Sequence, residues 1–174
     1  MTFSPALEQR FARMLAAYPV GRQRSAIIPM LIYAQDEVGS ITSELIQEVA
    51  TRCGVEPLQV DEVVGYYSML HRQPMGKYHV QVCTNISCML VGGEELYQHA
   101  KRKLGIGHKE RTADGEFSLE EVECMGACSW APAVEINYDF HHFVTPEQLD
   151  KLIDGLRAGT AIAPVSRSQE PKRR

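Results

Sequence analysis

Two short cysteine pairs constrain this chain more than any other feature of its 174 residues. Cys83 and Cys88 enclose Thr84-Asn85-Ile86-Ser87, and Cys124 and Cys128 enclose Met125-Gly126-Ala127. Each pair follows a stretch that reads as a strand. Tyr78, Val80 and Val82 alternate with His79 and Gln81 up to Cys83, and Phe117 to Glu123 runs into Cys124. Strand ends on one edge of a sheet converge, so four thiols distant in sequence can meet at one centre. Structural zinc also accepts four thiolates, but it favours tighter Cys-x-x-Cys knuckles. The wider spacings here suit a 2Fe-2S cluster in which each iron takes two cysteines. Gly126 lets the backbone come close and aim N–H groups at sulfur. A helix beginning near Met89 offers more donors and a favourable dipole. Four cysteines packed as small apolar residues, or a thiol redox site, would explain neither the pairing nor its place after two strands.

The rest of the composition narrows the setting. A net charge of −4 and a pI near 5.9 argue against a phosphate-binding surface, so nucleic acid is not an expected partner. No run approaches the roughly 20 apolar residues of a membrane span, and Met1-Thr2-Phe3-Ser4-Pro5 lacks the regions of a signal peptide. A cytoplasmic chain without direct membrane insertion is therefore expected, and in a reducing compartment paired cysteines read as ligands before disulfides. The fifth cysteine, Cys53, lies on the apolar face of an expected helix and reads as core. His141 and His142 are adjacent on an expected strand and face opposite sides, so they make a poor metal pair. Leu90-Val91-Gly92-Gly93-Glu94-Glu95 and Gly105-Ile106-Gly107 contain glycine but form no nucleotide-binding G-x-G-x-x-G.

The chain divides into residues 1–73, all helical, a second domain over 74–162, and a polar tail over 163–174. Ser4 and Pro5 start a helix that ends at Tyr18-Pro19. Others are expected from Ser25 to Val38, after Thr42 or Ser43 to Gly54, and from about Pro57 to Tyr67. This region carries no catalytic constellation. Beyond Pro74 the expected order is a strand to Cys83, a helix over Leu90 to Leu104, a strand from Phe117, a hairpin of Ala133–Ile136 and His141–Val144, and a helix capped by Thr145. That order predicts a layered α/β or α+β domain with a mixed sheet.

Val82-Cys83-Thr84-Asn85-Ile86-Ser87-Cys88-Met89-Leu90, and Glu123-Cys124-Met125-Gly126-Ala127-Cys128 followed by Ala131-Pro132, resemble the family of E-type NADH-quinone oxidoreductase subunits. This is the thioredoxin-like 2Fe-2S subunit of respiratory complex I. Ala26-Ile27-Ile28-Pro29-Met30-Leu31, Gly65-Tyr66-Tyr67-Ser68-Met69 and Gly76-Lys77-Tyr78-His79-Val80-Gln81-Val82 extend the similarity over nearly the whole chain. The resemblance implies a helical N-terminal bundle followed by a thioredoxin-like 2Fe-2S ferredoxin domain. It implies one 2Fe-2S cluster on Cys83, Cys88, Cys124 and Cys128, and no catalytic residue. FMN and NADH are implied only on a partner, the F-like flavoprotein subunit, within the peripheral arm of a complex at the inner face of the cell membrane. Ile86-Ser87 departs from relatives that carry proline there. The same module occurs in soluble NAD-reducing hydrogenases and NAD-dependent formate dehydrogenases, and a free-standing 2Fe-2S ferredoxin is a further alternative.

Overall fold

A computed structural model describes residues 1–160, so the polar tail expected over 163–174 lies outside the described residues. The chain forms two compact units, Met1–Pro74 and Met75 onward. Among the described residues no helix is long and apolar enough to cross a membrane.

The first unit holds α1 (Pro5–Ala16), α2 (Ile27–Val38), α3 (Ser43–Cys53) and α4 (Pro57–Tyr66). Local chemistry sets their ends. Ser4 Oγ accepts the Leu7 N–H at 3.2 Å, and Thr42 Oγ1 accepts the Leu45 N–H at 3.2 Å. Pro57 opens α4 behind a capping box of Glu56 and Gln59. Gly39 and Gly54 close α2 and α3 in the left-handed conformation that only glycine adopts without strain. The apolar stripes meet in one core built on Phe11, Met30, Leu31, Leu45, Val49 and Val60. The stretch expected to be helical from Ser25 opens instead as a 3-10 turn, Gln23–Ala26, before α2. On α2 the buried residues are Ile27, Met30, Leu31, Ala34 and Gln35, which leaves Ile28 half-buried. Arg52 ties α3 to α1, its guanidinium 2.6 and 2.8 Å from the Glu8 carboxylate and close to the Phe3 and Phe11 rings.

The second unit is a five-stranded sheet with helices. Its elements are β1 (Tyr78–Cys83), α5 (Ile86–Met89), α6 (Gly93–Leu104), β2 (Glu110–Arg111), β3 (Phe117–Val122), β4 (Val134–Ile136), β5 (Asp139–His141) and α7 (Pro146–Arg157). The strand order is β2-β3-β1-β4-β5. β1 and β3 pair in parallel and the remaining ladders are antiparallel, so the sheet is mixed. The two-residue side-chain period sends Val80, Val82, Phe117, Leu119, Val134 and Ile136 to one face. There they form one core with Leu96, Tyr97 and Ala100 of α6 and Leu149, Leu152 and Ile153 of α7. Burial of this set is the main stabilising term, at roughly 1.5–3 kcal/mol for each large side chain. His79, Gln81, Ser118 and Glu120 take the other face. There Glu120 accepts from His79 at 3.0 Å and from Gln81 at 3.1 Å.

Three expectations shift in register. The helix expected over Leu90–Leu104 starts later, at Gly93, because Gly92, at φ 94°, separates α6 from the short helix α5 that precedes it. The hairpin is tighter than expected, because Asn137 and Tyr138 both take positive φ and make a two-residue turn. Its second strand is therefore Asp139–His141 and not His141–Val144, and Phe143 at φ 53° cannot continue a strand. The short strand β2 has no counterpart among the strands the sequence predicts.

Candidate metal centre

Parallel pairing brings the cysteines together. Cys83, the last residue of β1, is in register with Val122, the last residue of β3, and Cys124 follows two positions later. Neighbouring parallel strands end at the same sheet edge, so both pairs emerge side by side. The Thr84 N–H donates to Val122 O at 3.1 Å, and the Cys83 N–H to Ala133 O at 3.2 Å, which fixes the edge from both neighbours. Asn85 then caps α5, its Oδ1 accepting the Ile86 N–H at 2.6 Å. This single turn folds the chain back and returns Cys88 to Cys83. α5 packs in turn against the 3-10 turn Cys128–Trp130, which carries the last cysteine.

The resulting centre is half enclosed. Cys83 and Cys88 are buried, and Cys124 and Cys128 are exposed. Ala127 and Ala133 are buried with the inner pair, and Trp130 and Phe140 pack against them. Cys124 Sγ lies 4.0 Å from Cys128 Sγ, far beyond the roughly 2.05 Å of a disulfide. Gly126, at φ 78°, turns its N–H toward Cys124 Sγ at 3.4 Å. The Cys83 thiol donates to Glu123 O at 3.6 Å. Burial pushes the Cys88 thiol up to about 11. A backbone hydrogen bond from Ala133 opposes this, while a hydrogen bond with Cys83 and the charges of Cys83 and Cys128 add to it.

Sulfurs this close repel one another once ionised, and a cationic centre is what lets all four become thiolates together. The donor set therefore fits a four-thiolate metal group, with a backbone N–H already aimed at one sulfur.

Sequence reasoning misses one residue at this site. Gly93 opens α6 directly beneath the first pair. A Cβ there would stand 2.8 Å from the Cys83 carbonyl oxygen and 2.9 Å from Cys88 Cβ. Gly92-Gly93 draws notice in the sequence only as a failed nucleotide motif, yet a glycine five residues after Cys88, just ahead of a helical pattern, is the signal for close packing. The structure leaves the other candidates elsewhere. His141 is buried in β5, and that burial lowers its pKa. His142 stacks on Trp130 with ring centroids 4.8 Å apart. Cys53 lies in the core of the first unit, its Sγ 3.7 Å from Met30 Sδ, and burial raises its pKa. Around the exposed side of the centre, Ile86, Met89, Leu90 and Val91 are all apolar and all open to solvent.

Comparison with known families matches residues 11–157 to the thioredoxin-like 2Fe-2S ferredoxins. The chain belongs to this family. As a thioredoxin-like 2Fe-2S ferredoxin it has the fold expected for its second unit, and the family implies a 2Fe-2S cluster rather than zinc. Its curated relatives include the second E-type NADH-quinone oxidoreductase subunit of Rhizobium meliloti, 40% identical over 97% of this chain and 96% of the relative. NADH-quinone oxidoreductase subunit 2 of Thermus thermophilus is 42% identical over 91% of this chain and 86% of its own length. The E-type subunit of Mycobacterium tuberculosis is longer: at 37% identity, the match covers 91% of this chain and 62% of that one. Among solved structures, an NAD+-reducing NiFe hydrogenase in the H2-reduced state superposes with a TM-score of 0.68 at 20% identity. The match covers 86% of this ferredoxin but about a quarter of the hydrogenase polypeptide, and at that identity it shows the fold alone.

Proposed function

We propose that this chain is the electron-transfer subunit of an NADH:quinone oxidoreductase, respiratory complex I. In this reading Cys83, Cys88, Cys124 and Cys128 hold one 2Fe-2S cluster, and the chain exchanges single electrons with the FMN of a partner NADH-binding flavoprotein subunit. One observation carries the proposal: two cysteine pairs converge at the common end of two parallel strands. They do so in a chain 40% identical to an E-type NADH-quinone oxidoreductase subunit over nearly its whole length.

When bound, a 2Fe-2S cluster supplies a one-electron couple, and no bond-making by the protein is needed. The chain's own residues set the conditions. The Gly126 N–H withdraws electron density from the Cys124 sulfur. Ala127, Ala133, Trp130 and Phe140 exclude water from the inner side. Cys124 and Cys128, left exposed, give a short path to a partner's redox group. Ile86, Met89, Leu90 and Val91 frame that path with an apolar surface against which a protein partner docks. Association with the membrane would come through the complex. The hydrogenase and formate dehydrogenase readings have less support, because the likeness to the hydrogenase stands at 20% identity and the NADH-quinone oxidoreductase relatives at 37–42%.

The test is to recover the chain from native cells with its neighbours. The proposal expects an FMN-containing NADH dehydrogenase subunit and quinone-reducing subunits, and reduction of the visible iron–sulfur absorption by NADH. Recovery with hydrogenase or formate dehydrogenase subunits, or alone, contradicts it. Ile86→Asp with Leu90→Asp should weaken the flavoprotein contact while leaving the absorption intact.

A further inference from the structure

The two cysteine loops are joined by one side-chain hydrogen bond that ligation itself does not require. Thr84, next in the chain to Cys83, donates its hydroxyl to Glu121, Oγ1 to Oε1 at 2.9 Å. Glu121 lies three residues before Cys124 and is itself held, its backbone N–H donating to His108 Nδ1 at 3.2 Å. Its half-buried carboxylate also acts on its surroundings. Burial raises the Tyr97 phenol, and Glu121 is the foremost of the charges that raise it further. No Lys or Arg occurs in residues 78–100 or 112–150, the stretches that carry the four cysteines.

We propose that Glu121 is a positioning residue for the metal centre, fixing the Cys83–Cys88 loop to the strand end that leads into Cys124 and holding the centre's reduction potential down with its charge. The assignment rests on reading the four cysteines as 2Fe-2S ligands. Reduction adds a negative charge to the centre, and a carboxylate fixed beside the ligand loops disfavours that charge. The Thr84 bond makes the effect steady, because a carboxylate free to swing into solvent would be screened.

The test uses the full chain, purified anaerobically with its cluster and titrated with dithionite while the paramagnetic signal is followed. Glu121→Gln keeps an acceptor for the Thr84 hydroxyl and removes the charge. At fixed ambient potential the ratio of reduced to oxidised centre should rise roughly three- to tenfold, tenfold corresponding to about 59 mV for a one-electron couple. The shape of the signal should not change. Thr84→Val keeps the charge and removes the tether, so visible absorption should be lost to a chelator several-fold faster, and Thr84→Ser should restore the resistance. Either Glu121→Gln or Thr84→Val behaving as wild type overturns the assignment alone. A wild-type chain holding zinc and giving no reducible signal removes the ligand reading and the assignment with it.

Discussion

Gly93→Ala should destabilise the second unit although alanine is the better helix former. In an open helical position the substitution gains about 0.4–1 kcal/mol, because alanine has less chain entropy to lose. Gly65 in α4 is such a position: a Cβ there meets nothing within 4 Å. At Gly93 the same methyl would stand 2.8 Å from the Cys83 carbonyl oxygen, 2.8 Å from the Cys88 carbonyl carbon and 2.9 Å from Cys88 Cβ. Two of these are backbone atoms held by the β1 edge and the α5 turn, so relief must come from moving the Cys83–Cys88 loop. Overpacking of this kind costs about 1–3 kcal/mol, which outweighs the helical gain. In a unit of this size each kcal/mol moves the midpoint by roughly 4–8 °C. Thermal scans of the anaerobic, cluster-loaded chain, with visible absorption per chain read alongside, should show Gly93→Ala melting roughly 5–15 °C lower with less absorption. Gly65→Ala should melt at or slightly above wild type. A Gly93→Ala protein with full absorption and an unchanged or higher midpoint would refute the close-packing argument.

Glu120 should make the second unit acid-sensitive. Burial works to raise this carboxyl, but hydrogen bonds from His79 and Gln81, with the electrostatic pull of His79 and Lys109, hold it at about 2, below its ordinary 4.5. A depressed carboxyl contributes stability that is present above about 4.5 and is lost as pH falls toward 2, by up to about 3 kcal/mol. Urea unfolding between pH 5 and 3 should show this slope in wild type and a flatter one in Glu120→Gln; equal slopes would contradict it. Leu119→Ala, at the centre of the second core beside Val80, should cost about 2–5 kcal/mol in the same assay. Cys53→Ala should leave the visible spectrum intact and Cys124→Ala should bleach it.

Much of this is legible in the chain because the signals are local. Ser4-Pro5, Thr42 and Thr145-Pro146 mark helix starts through their own hydroxyls and rings, and each caps as its residue type predicts. The approach of the cysteine pairs is also readable, since each follows an alternating strand pattern. The break between α5 and α6 is hidden by the apolar run Met89-Leu90-Val91, which looks like the buried face of a longer helix. In the structure those side chains are exposed around the centre. The hairpin differs because its register depends on left-handed backbone at Asn137 and Tyr138, and tyrosine rarely signals such a turn. The Thr84–Glu121 bond joins residues distant in sequence, and only the β1–β3 register brings them together. No local pattern announces it.

The central claim is tested most directly by metal analysis and low-temperature paramagnetic resonance on the anaerobically purified chain before and after dithionite. Bound iron near two atoms per chain, with a paramagnetic signal that appears on one-electron reduction and disappears in Cys83→Ala, is the predicted result. Stoichiometric zinc with no signal on reduction, or an undiminished signal after loss of Cys83, would contradict it.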